Sequence, residues 1–213
     1  MRSSSKKVFF TNHVFWVNDN VYEPAEDSFL FAENLAVRDG DRVADIGTGC
    51  GILGIIAAEK ASEVLAIDIN PWAVQCAKEN ARQNHVSEKM LLIQGDLLTP
   101  IRKGEEFDLI LSNAPYLPSE EGEGSSWLER AWAGGISGRK MIDGFIRESA
   151  QHLRSNGEIL LMQSSLSDVG ETRRGFEEKG LRVDVVASQD LPLFETIFLL
   201  RARHQKIEKN VGS

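Results

Sequence analysis

Short apolar segments alternate with amphipathic ones along most of the chain. Polar and apolar positions recur with helical spacing at 52–60, 71–84, 139–153 and 168–180. Between these segments, near-continuous apolar runs predict buried strands at Arg42–Ile46, Val64–Asp68, Met90–Ile93, Phe107–Leu111 and Glu158–Met162. Apolar strands of this kind are covered on both faces, and their alternation with helices is typical of βαβ units. The pattern therefore predicts an α/β fold, with a parallel sheet and helices on both faces.

The last third of the chain departs from this alternation. Two strand-like runs, Leu181–Ala187 and Thr196–Ala202, are joined by 188–195 without a helical segment. Parallel neighbours need a long crossover connection, so this pair predicts an antiparallel hairpin. With the five earlier strands, we expect a seven-stranded, mostly parallel sheet in a single domain over 1–213. Residues 1–20 and 204–213 are expected to be loosely ordered termini.

A glycine-rich turn follows the first predicted strand. After Asp45, glycines at Gly47, Gly49 and Gly51 allow a sharp turn and a close approach of a ligand to the backbone. Asp68 ends the next strand about 20 residues later, where a carboxylate accepts hydrogen bonds from ribose hydroxyls. The spacing predicts a cofactor of the adenosine type.

Acidic residues narrow the choice of cofactor. Asp45 would be unfavourable beside a pyrophosphate, but it suits the ammonium group of a methionine. Asp96 follows the third strand and can accept from the adenine amino group, with Leu97 against the ring. These acids together favour S-adenosylmethionine.

The segment Asn113-Ala114-Pro115-Tyr116 lies at the end of the fourth strand, at the edge where open α/β sheets bind ligands. The nitrogen of an amide or aromatic amine is a poor nucleophile, because its lone pair is delocalised. The Asn113 side-chain oxygen and the Ala114 carbonyl can each accept one N–H of such a planar group, and Tyr116 can stack on it. The segment therefore predicts methyl transfer to an amide or an exocyclic amine.

These motifs resemble those of class I S-adenosylmethionine-dependent methyltransferases of the HemK/PrmC type, whose signature is Asn-Pro-Pro-Tyr. The resemblance covers Val21 to Ala202. Segments 21–28 and 131–139 are similar to a short archaeal and eukaryotic branch that lacks the N-terminal helical domain of bacterial members. The resemblance implies a Rossmann-like fold and methylation of the glutamine in the Gly-Gly-Gln motif of class I release factors.

The resemblance also implies roles for individual residues. Asn113, Pro115 and Tyr116 match the catalytic and substrate-amide positions, together with the Ala114 carbonyl. Ala114 stands where the family has its first proline, so the rigid φ of proline is lost. The predicted cofactor-binding residues are Ser28, Asp45, Gly47, Gly49, Asp68, Asp96, Leu97 and Asn113. No metal site is predicted.

Two further expectations concern partners and the long insertion. The resemblance implies a small zinc-binding activator subunit, and in the family's usual strand order Met90–Ile93 is an edge strand to which a partner strand can add. Residues 119–138 form the longest irregular insertion, and the 131–139 segment, which overlaps its end, is expected to be a lid that helps form the substrate pocket.

Charge and composition weigh against some alternatives. The 213 residues carry 24 Lys and Arg against 32 Asp and Glu, a net charge of −8, which disfavours a broad nucleic-acid footprint. The alternatives are methylation of adenine in DNA or RNA, methylation of a protein lysine, and a non-catalytic cofactor-binding subunit. Two cysteines, Cys50 and Cys76, are expected to be free thiols, and a cytoplasmic protein is predicted.

Overall fold

The computed structural model describes residues 5–113, 115–119, 126–131 and 134–205. Its strands are β1 (Ser5–Phe10), β2 (His13–Asn18), β3 (Arg42–Ile46), β4 (Glu63–Asp68), β5 (Met90–Gln94), β6 (Phe107–Ser112), β7 (Leu153–Ser164), β8 (Leu181–Leu191) and β9 (Glu195–His204). Its helices are α1 (Glu26–Glu33), α2 (Ile52–Ala58), α3 (Pro71–Gln83), α4 (Trp127–Arg130), α5 (Lys140–Ser149) and α6 (Val169–Glu177).

Seven of the strands form one sheet in the order β5-β4-β3-β6-β7-β9-β8. Strands β3 to β7 run parallel to one another, whereas β9 is antiparallel to both β7 and β8. The predicted mostly parallel sheet with a C-terminal antiparallel hairpin is therefore confirmed. The chain runs outward from β3 to β5 and then returns to β6 on the other side of β3. Ligands of open α/β sheets bind at such a change of direction, beyond the carboxyl ends of the strands.

Each face of the sheet packs against its own hydrophobic cluster. Side chains alternate along the strands, so Val43 of β3 faces one cluster and Ala44 the other. The first cluster includes Phe31 of α1 and Ile55 of α2, and the second includes Phe145 of α5. Helices therefore cover both faces, as the continuous apolar strands predict.

The N-terminal segment differs from the expectation of a loosely ordered terminus. Residues 5–18 form the antiparallel hairpin β1–β2, and Phe15 of β2 is fully buried. The amide groups of Asn80 and Asn84 on α3 hydrogen-bond the β2 backbone: Asn80 Oδ1 accepts from Trp16 N at 2.8 Å, and Asn84 Oδ1 accepts from Val14 N at 3.1 Å. Strand β2 therefore pairs with β1 and is also hydrogen-bonded by side chains of α3. At the other end β9 continues to His204, and residues 206–213 lie outside the described part of the chain.

Other element boundaries follow the sequence closely. Asn70 caps α3 by accepting a hydrogen bond from Trp72 N, with Pro71 in the first turn. The segment predicted as one helix over 139–153 is α5 followed by a 3₁₀ turn at Ala150–His152. Both cysteines are free, as expected, and both are buried. Among the described helices, none has the length and apolar character needed to cross a membrane.

Candidate functional site

The loop between β3 and α2 is fixed to the end of β4. The backbone N–H groups of Gly47 and Thr48 both donate to the Ile67 carbonyl, at 2.8 and 3.1 Å. Gly49 adopts a left-handed conformation (φ 57°), and its N–H donates to the Asp68 carboxylate at 2.9 Å. This conformation favours glycine, and it joins the loop to the acid that ends β4. The sequence-predicted pair of glycine loop and acid is therefore one unit.

Asp68 faces a cavity with part of its hydrogen-bonding capacity in use. One carboxylate oxygen accepts from Gly49 N and the other from Asn70 N, each at 2.9 Å. Burial raises the pKa of this carboxyl. A carboxylate offers about four acceptor sites, so each oxygen can take a further donor such as a ribose hydroxyl.

The cavity lies at the carboxyl edge of the sheet and encloses about 1360 Å³, its open mouth included. Its walls combine acidic groups with aliphatic ones, the composition expected of a small-molecule site. Leu97 lines the cavity and also packs its Cδ1 against Gly144 of α5. A Cβ at position 144 would lie only 2.6 Å from this Cδ1, so the contact requires glycine. The sequence-predicted site residues that line the cavity are Ser28, Gly47, Gly49, Asp68, Asp96, Leu97, Asn113 and Pro115.

Asp45 lies beneath the cavity and is not among its lining residues. It is 1% exposed, and its Oδ2 accepts from Thr48 Oγ1 at 2.6 Å and from Gly54 N at 3.0 Å. A Cβ on Gly54 would come within 2.9 Å of the same oxygen, so glycine is needed there. Burial raises the pKa of Asp45 to about 6. These contacts make Asp45 a brace between β3, the glycine loop and α2.

Asp27 joins the N-terminal segment to the end of β6. Its Oδ2 accepts from Asn113 Nδ2 at 3.1 Å and from the Tyr116 hydroxyl at 3.0 Å. Its Oδ1 accepts from the Tyr22 hydroxyl at 3.0 Å and from the backbone N–H and hydroxyl of Ser28 at 2.6 and 3.2 Å. The side chain of Asp27 is 6% exposed. Five donors therefore converge on one buried carboxylate.

This network fixes the orientation of the Asn113 amide. Ser28 Oγ also accepts from Asn113 Nδ2, at 3.2 Å. The Asn113 Oδ1 atom is buried and has no hydrogen-bond partner within the described residues. Because Asn113 lines the cavity, Oδ1 is an acceptor that a bound NH₂ group can satisfy.

Both tyrosines of the network are held as neutral donors. Burial raises the pKa of the Tyr116 hydroxyl far above its ordinary value, and the charge of Asp27 adds to that effect. Burial and Asp27 raise the pKa of Tyr22 in the same way. The hydroxyl therefore fixes the position of the Tyr116 ring. The ring packs against both hydrophobic clusters, and Tyr116 is not among the residues that line the cavity. Ala114 lies outside the described residues.

The insertion after Tyr116 is anchored at its far end. Gly134 N donates to the Leu117 carbonyl and Ser119 N to the Gly135 carbonyl, each at 2.9 Å. Arg139 is 8% exposed and donates to the Ser167 carbonyl at 2.7 Å. Ala131, from the segment predicted to be a lid, lines the cavity, as does Trp127. Residues 120–125 and 132–133 of the insertion lie outside the described part.

Sequence reasoning did not identify Asp27 or Tyr22 as site residues. Both lie in the 21–28 segment, which is identified in the sequence only by its similarity to the methyltransferase family. Both are at least 86 positions away from Asn113 along the chain. The one feature of the sequence that indicates Asp27 is its position directly before Ser28, a predicted cofactor-binding residue.

Comparisons with known proteins agree on a methyltransferase. A family model described as ribosomal protein L11 methyltransferase (PrmA) matches residues 28–115. A Methanocaldococcus jannaschii protein named a protein N5-glutamine methyltransferase is 38% identical over 188 residues, covering 87% of this chain and 93% of that protein. Methyltransferase HEMK2 of Homo sapiens is 32% identical over 175 residues, covering 76% of this chain and 80% of that protein.

Among solved structures, the chain is similar to one titled the E. cuniculi Mtq2-Trm112 complex, responsible for methylation of the eRF1 translation termination factor. The TM-score is 0.64 at 21% identity, over 87% of this chain and 99% of that chain. At this identity the likeness shows the fold, which is that of a class I methyltransferase.

Proposed function

The chain belongs to the HemK-type protein N5-glutamine methyltransferases, and we propose that it methylates the glutamine side chain in the Gly-Gly-Gln motif of a class I release factor. The observation that supports this substrate best is the Asn113 amide. Its Nδ2 is bound to Asp27 and Ser28, its Oδ1 is buried without a hydrogen-bond partner within the described residues, and the residue lines the cavity. A primary amide presents the matching N–H donor.

The residues of the cavity fit S-adenosylmethionine. Asp68 keeps acceptor capacity for ribose hydroxyls, Asp96 lines the same cavity, and Ile69 and Leu97 supply aliphatic surface for an adenine ring. When bound, the cofactor supplies an electrophilic methyl group on a sulfonium. Asp45 is not proposed as the ligand of the cofactor's ammonium group, because its carboxylate braces the loop from below.

The protein's own contribution to the reaction is orientation. Asn113 Oδ1 accepts one N–H of the target amide and so directs the nitrogen while increasing its electron density. Tyr116 holds Asp27 in place beside Asn113, because its hydroxyl donates to the same carboxylate oxygen that accepts from Asn113. In one displacement without a covalent enzyme intermediate, the nitrogen would gain the methyl group as the sulfonium becomes a neutral thioether, and it would give up one proton to solvent. Positioning of two reactants in this way supplies a large part of a rate enhancement.

A methyl-transfer assay with alternative substrates, each offered separately, tests the choice of substrate. The protein is incubated with methyl-labelled S-adenosylmethionine and either a class I release factor, the same factor with its Gly-Gly-Gln glutamine changed to alanine, or DNA and RNA. We expect label only in the unmodified release factor. Label in nucleic acid, with binding that weakens steeply as salt rises, would instead support the exocyclic-amine reaction.

We also propose a small zinc-binding activator subunit that adds a strand to β5. Within the described residues β5 pairs with β4 alone, which makes it an edge of the sheet. Leu91 on this strand is 56% exposed. An exposed apolar edge is a site for main-chain pairing with a partner strand.

A cytoplasmic location is proposed as well, and the free thiols of Cys50 and Cys76 support it.

A further inference from the structure

We propose that Asp27 is a positioning residue that sets the polarity of the Asn113 amide, so that an oxygen rather than an NH₂ group faces the substrate. This inference deepens the proposed function and rests on it. It assigns to Asp27 a role in the acceptor half of the site, through Asn113 and Tyr116 rather than through direct contact with the substrate.

An asparagine side chain can be turned by 180° with little change in shape. Its two ends differ in function, because one only accepts hydrogen bonds and the other only donates them. For a substrate amide that must offer an N–H, the useful orientation has Oδ1 toward the cavity. Some neighbouring group must therefore favour that orientation over the reverse.

Asp27 favours it strongly. A carboxylate only accepts, so it binds the NH₂ end of Asn113 and repels the oxygen end. The Asn113 Nδ2 to Asp27 Oδ2 distance is 3.1 Å, and Asp27 is buried, so water does not weaken the preference. The carboxylate is itself fixed by the three donors on its Oδ1, from Tyr22 and Ser28.

The same oxygen also fixes Tyr116. Its hydroxyl donates to Asp27 Oδ2 at 3.0 Å, next to the bond from Asn113. One carboxylate oxygen thus aligns the hydrogen-bonding residue and the aromatic residue of the acceptor site relative to each other. A displacement of the order of 1 Å in such a pair can reduce a rate by roughly 10²-fold.

The variant Asp27→Asn reverses the polarity with almost no change in shape. Its oxygen remains with the three donors from Tyr22 and Ser28, so its NH₂ group faces Asn113. Asn113 then turns to present its own NH₂ group to the substrate N–H, and two donors oppose each other. We expect kcat for the release factor to fall roughly 10²-fold, while cofactor affinity by calorimetry stays close to that of the wild type.

The control is Glu26→Gln, which removes the same charge from the neighbouring, solvent-exposed position on α1. We expect it to keep the wild-type kcat. A loss of rate in both variants would assign the effect to charge near the site and overturn the role of Asp27 in polarity. Thermal unfolding of each variant shows whether the protein is folded.

The exchange Asp27→Asn with Asn113→Asp restores the polarity. Asn at 27 donates to the new carboxylate, which presents its second oxygen to the substrate. We expect the double variant to transfer roughly tenfold faster than either single variant. Because Asn113→Asp alone places two carboxylates together, it provides a second comparison if Asp27→Asn does not fold.

The outcomes separate the two proposals. Equal rates for the wild type and Asp27→Asn, or a double variant that binds cofactor but is no faster than the singles, would overturn the role of Asp27 alone. No transfer to glutamine by the wild-type protein would overturn the proposed function, and the assignment of Asp27 with it.

Discussion

Asp45 is a buried acid whose ionisation opposes folding. Burial raises its pKa from 3.8 to about 6. Because the folded-state value is the higher one, its contribution to stability is fully present below pH 3.8 and is lost as the pH rises through 6. The difference between the two values corresponds to about 3 kcal/mol.

The variant Asp45→Asn removes this titration and can still accept from Thr48 and Gly54. We expect the free energy of unfolding of the wild type, relative to that of the variant, to fall by about 2.5 kcal/mol between about pH 4 and pH 7. Urea unfolding of both proteins across this range measures it. A constant difference between the two proteins would mean that Asp45 has its ordinary pKa.

Asp68 is predicted to hold the ribose of the cofactor. Asp68→Ala removes the acceptor oxygens that face the cavity, and S-adenosylmethionine binding should weaken by about 1.5–3 kcal/mol. The variant also loses bonds to Gly49 and Asn70, so circular dichroism must show that it is folded. Unchanged affinity by calorimetry in a folded variant would remove Asp68 from the site.

For individual residues, the sequence predicts membership of the site when the residue lies at the end of a parallel strand. Asp68, Asp96 and Asn113 each end or follow a parallel strand, and all three line the cavity. Asp45 also ends a strand, but its side chain turns away from the cavity toward Gly54. The direction of a side chain at a strand end depends on packing, so the linear pattern did not separate these cases.

Among the elements, the β1–β2 hairpin is stabilised by burial on α3. Phe15 is fully buried in the first hydrophobic cluster. Phe15→Ala should lower the free energy of unfolding by about 3–5 kcal/mol, the usual cost of a buried phenylalanine. Phe9→Ala in β1, where the ring is 63% exposed, is the control and should change it by about 0.5 kcal/mol or less. Equal effects of the two variants in urea unfolding would contradict this packing.

The edge strand β5 allows a separate test of the activator subunit. The protein should be poorly soluble alone and improve on co-expression with that subunit. Leu91→Lys should reduce co-purification, because a lysine on an edge disfavours strand addition. Val185→Lys, on the opposite edge strand β8, is the matched control, since Val185 is also exposed. A monodisperse monomer whose activity does not respond to the subunit would count against this partner.

The sequence predicts a strand correctly when that strand pairs with another apolar strand of the sheet. The five parallel strands and the C-terminal hairpin follow from runs of apolar residues, and β5 lies at the edge as expected. The N-terminal hairpin was missed for a physical reason. Its backbone is satisfied by the side chains of Asn80 and Asn84, which lie more than 60 positions away. No local pattern within 1–20 reports such a contact.

At the scale of the whole molecule, the site results from the order of the strands. Because β6 returns beside β3, the end of β6 comes next to the glycine loop, and Asn113 faces the same cavity as Asp68. Helix α1, from the N-terminal part of the chain, places Asp27 in hydrogen-bonding contact with Asn113. The topology brings a cofactor half and an acceptor half together, and the proposed reaction needs both.

The most direct test of this arrangement is single-turnover methyl transfer to a class I release factor by the wild type and Asn113→Ala, with the methylated residue identified by mass spectrometry. We expect the wild type to methylate the Gly-Gly-Gln glutamine. The variant should lose about 2–4 kcal/mol of transition-state stabilisation, with a much smaller change in cofactor affinity by calorimetry. Transfer by Asn113→Ala near the wild-type rate, or a wild-type methyl group on any residue other than that glutamine, would contradict the proposed chemistry.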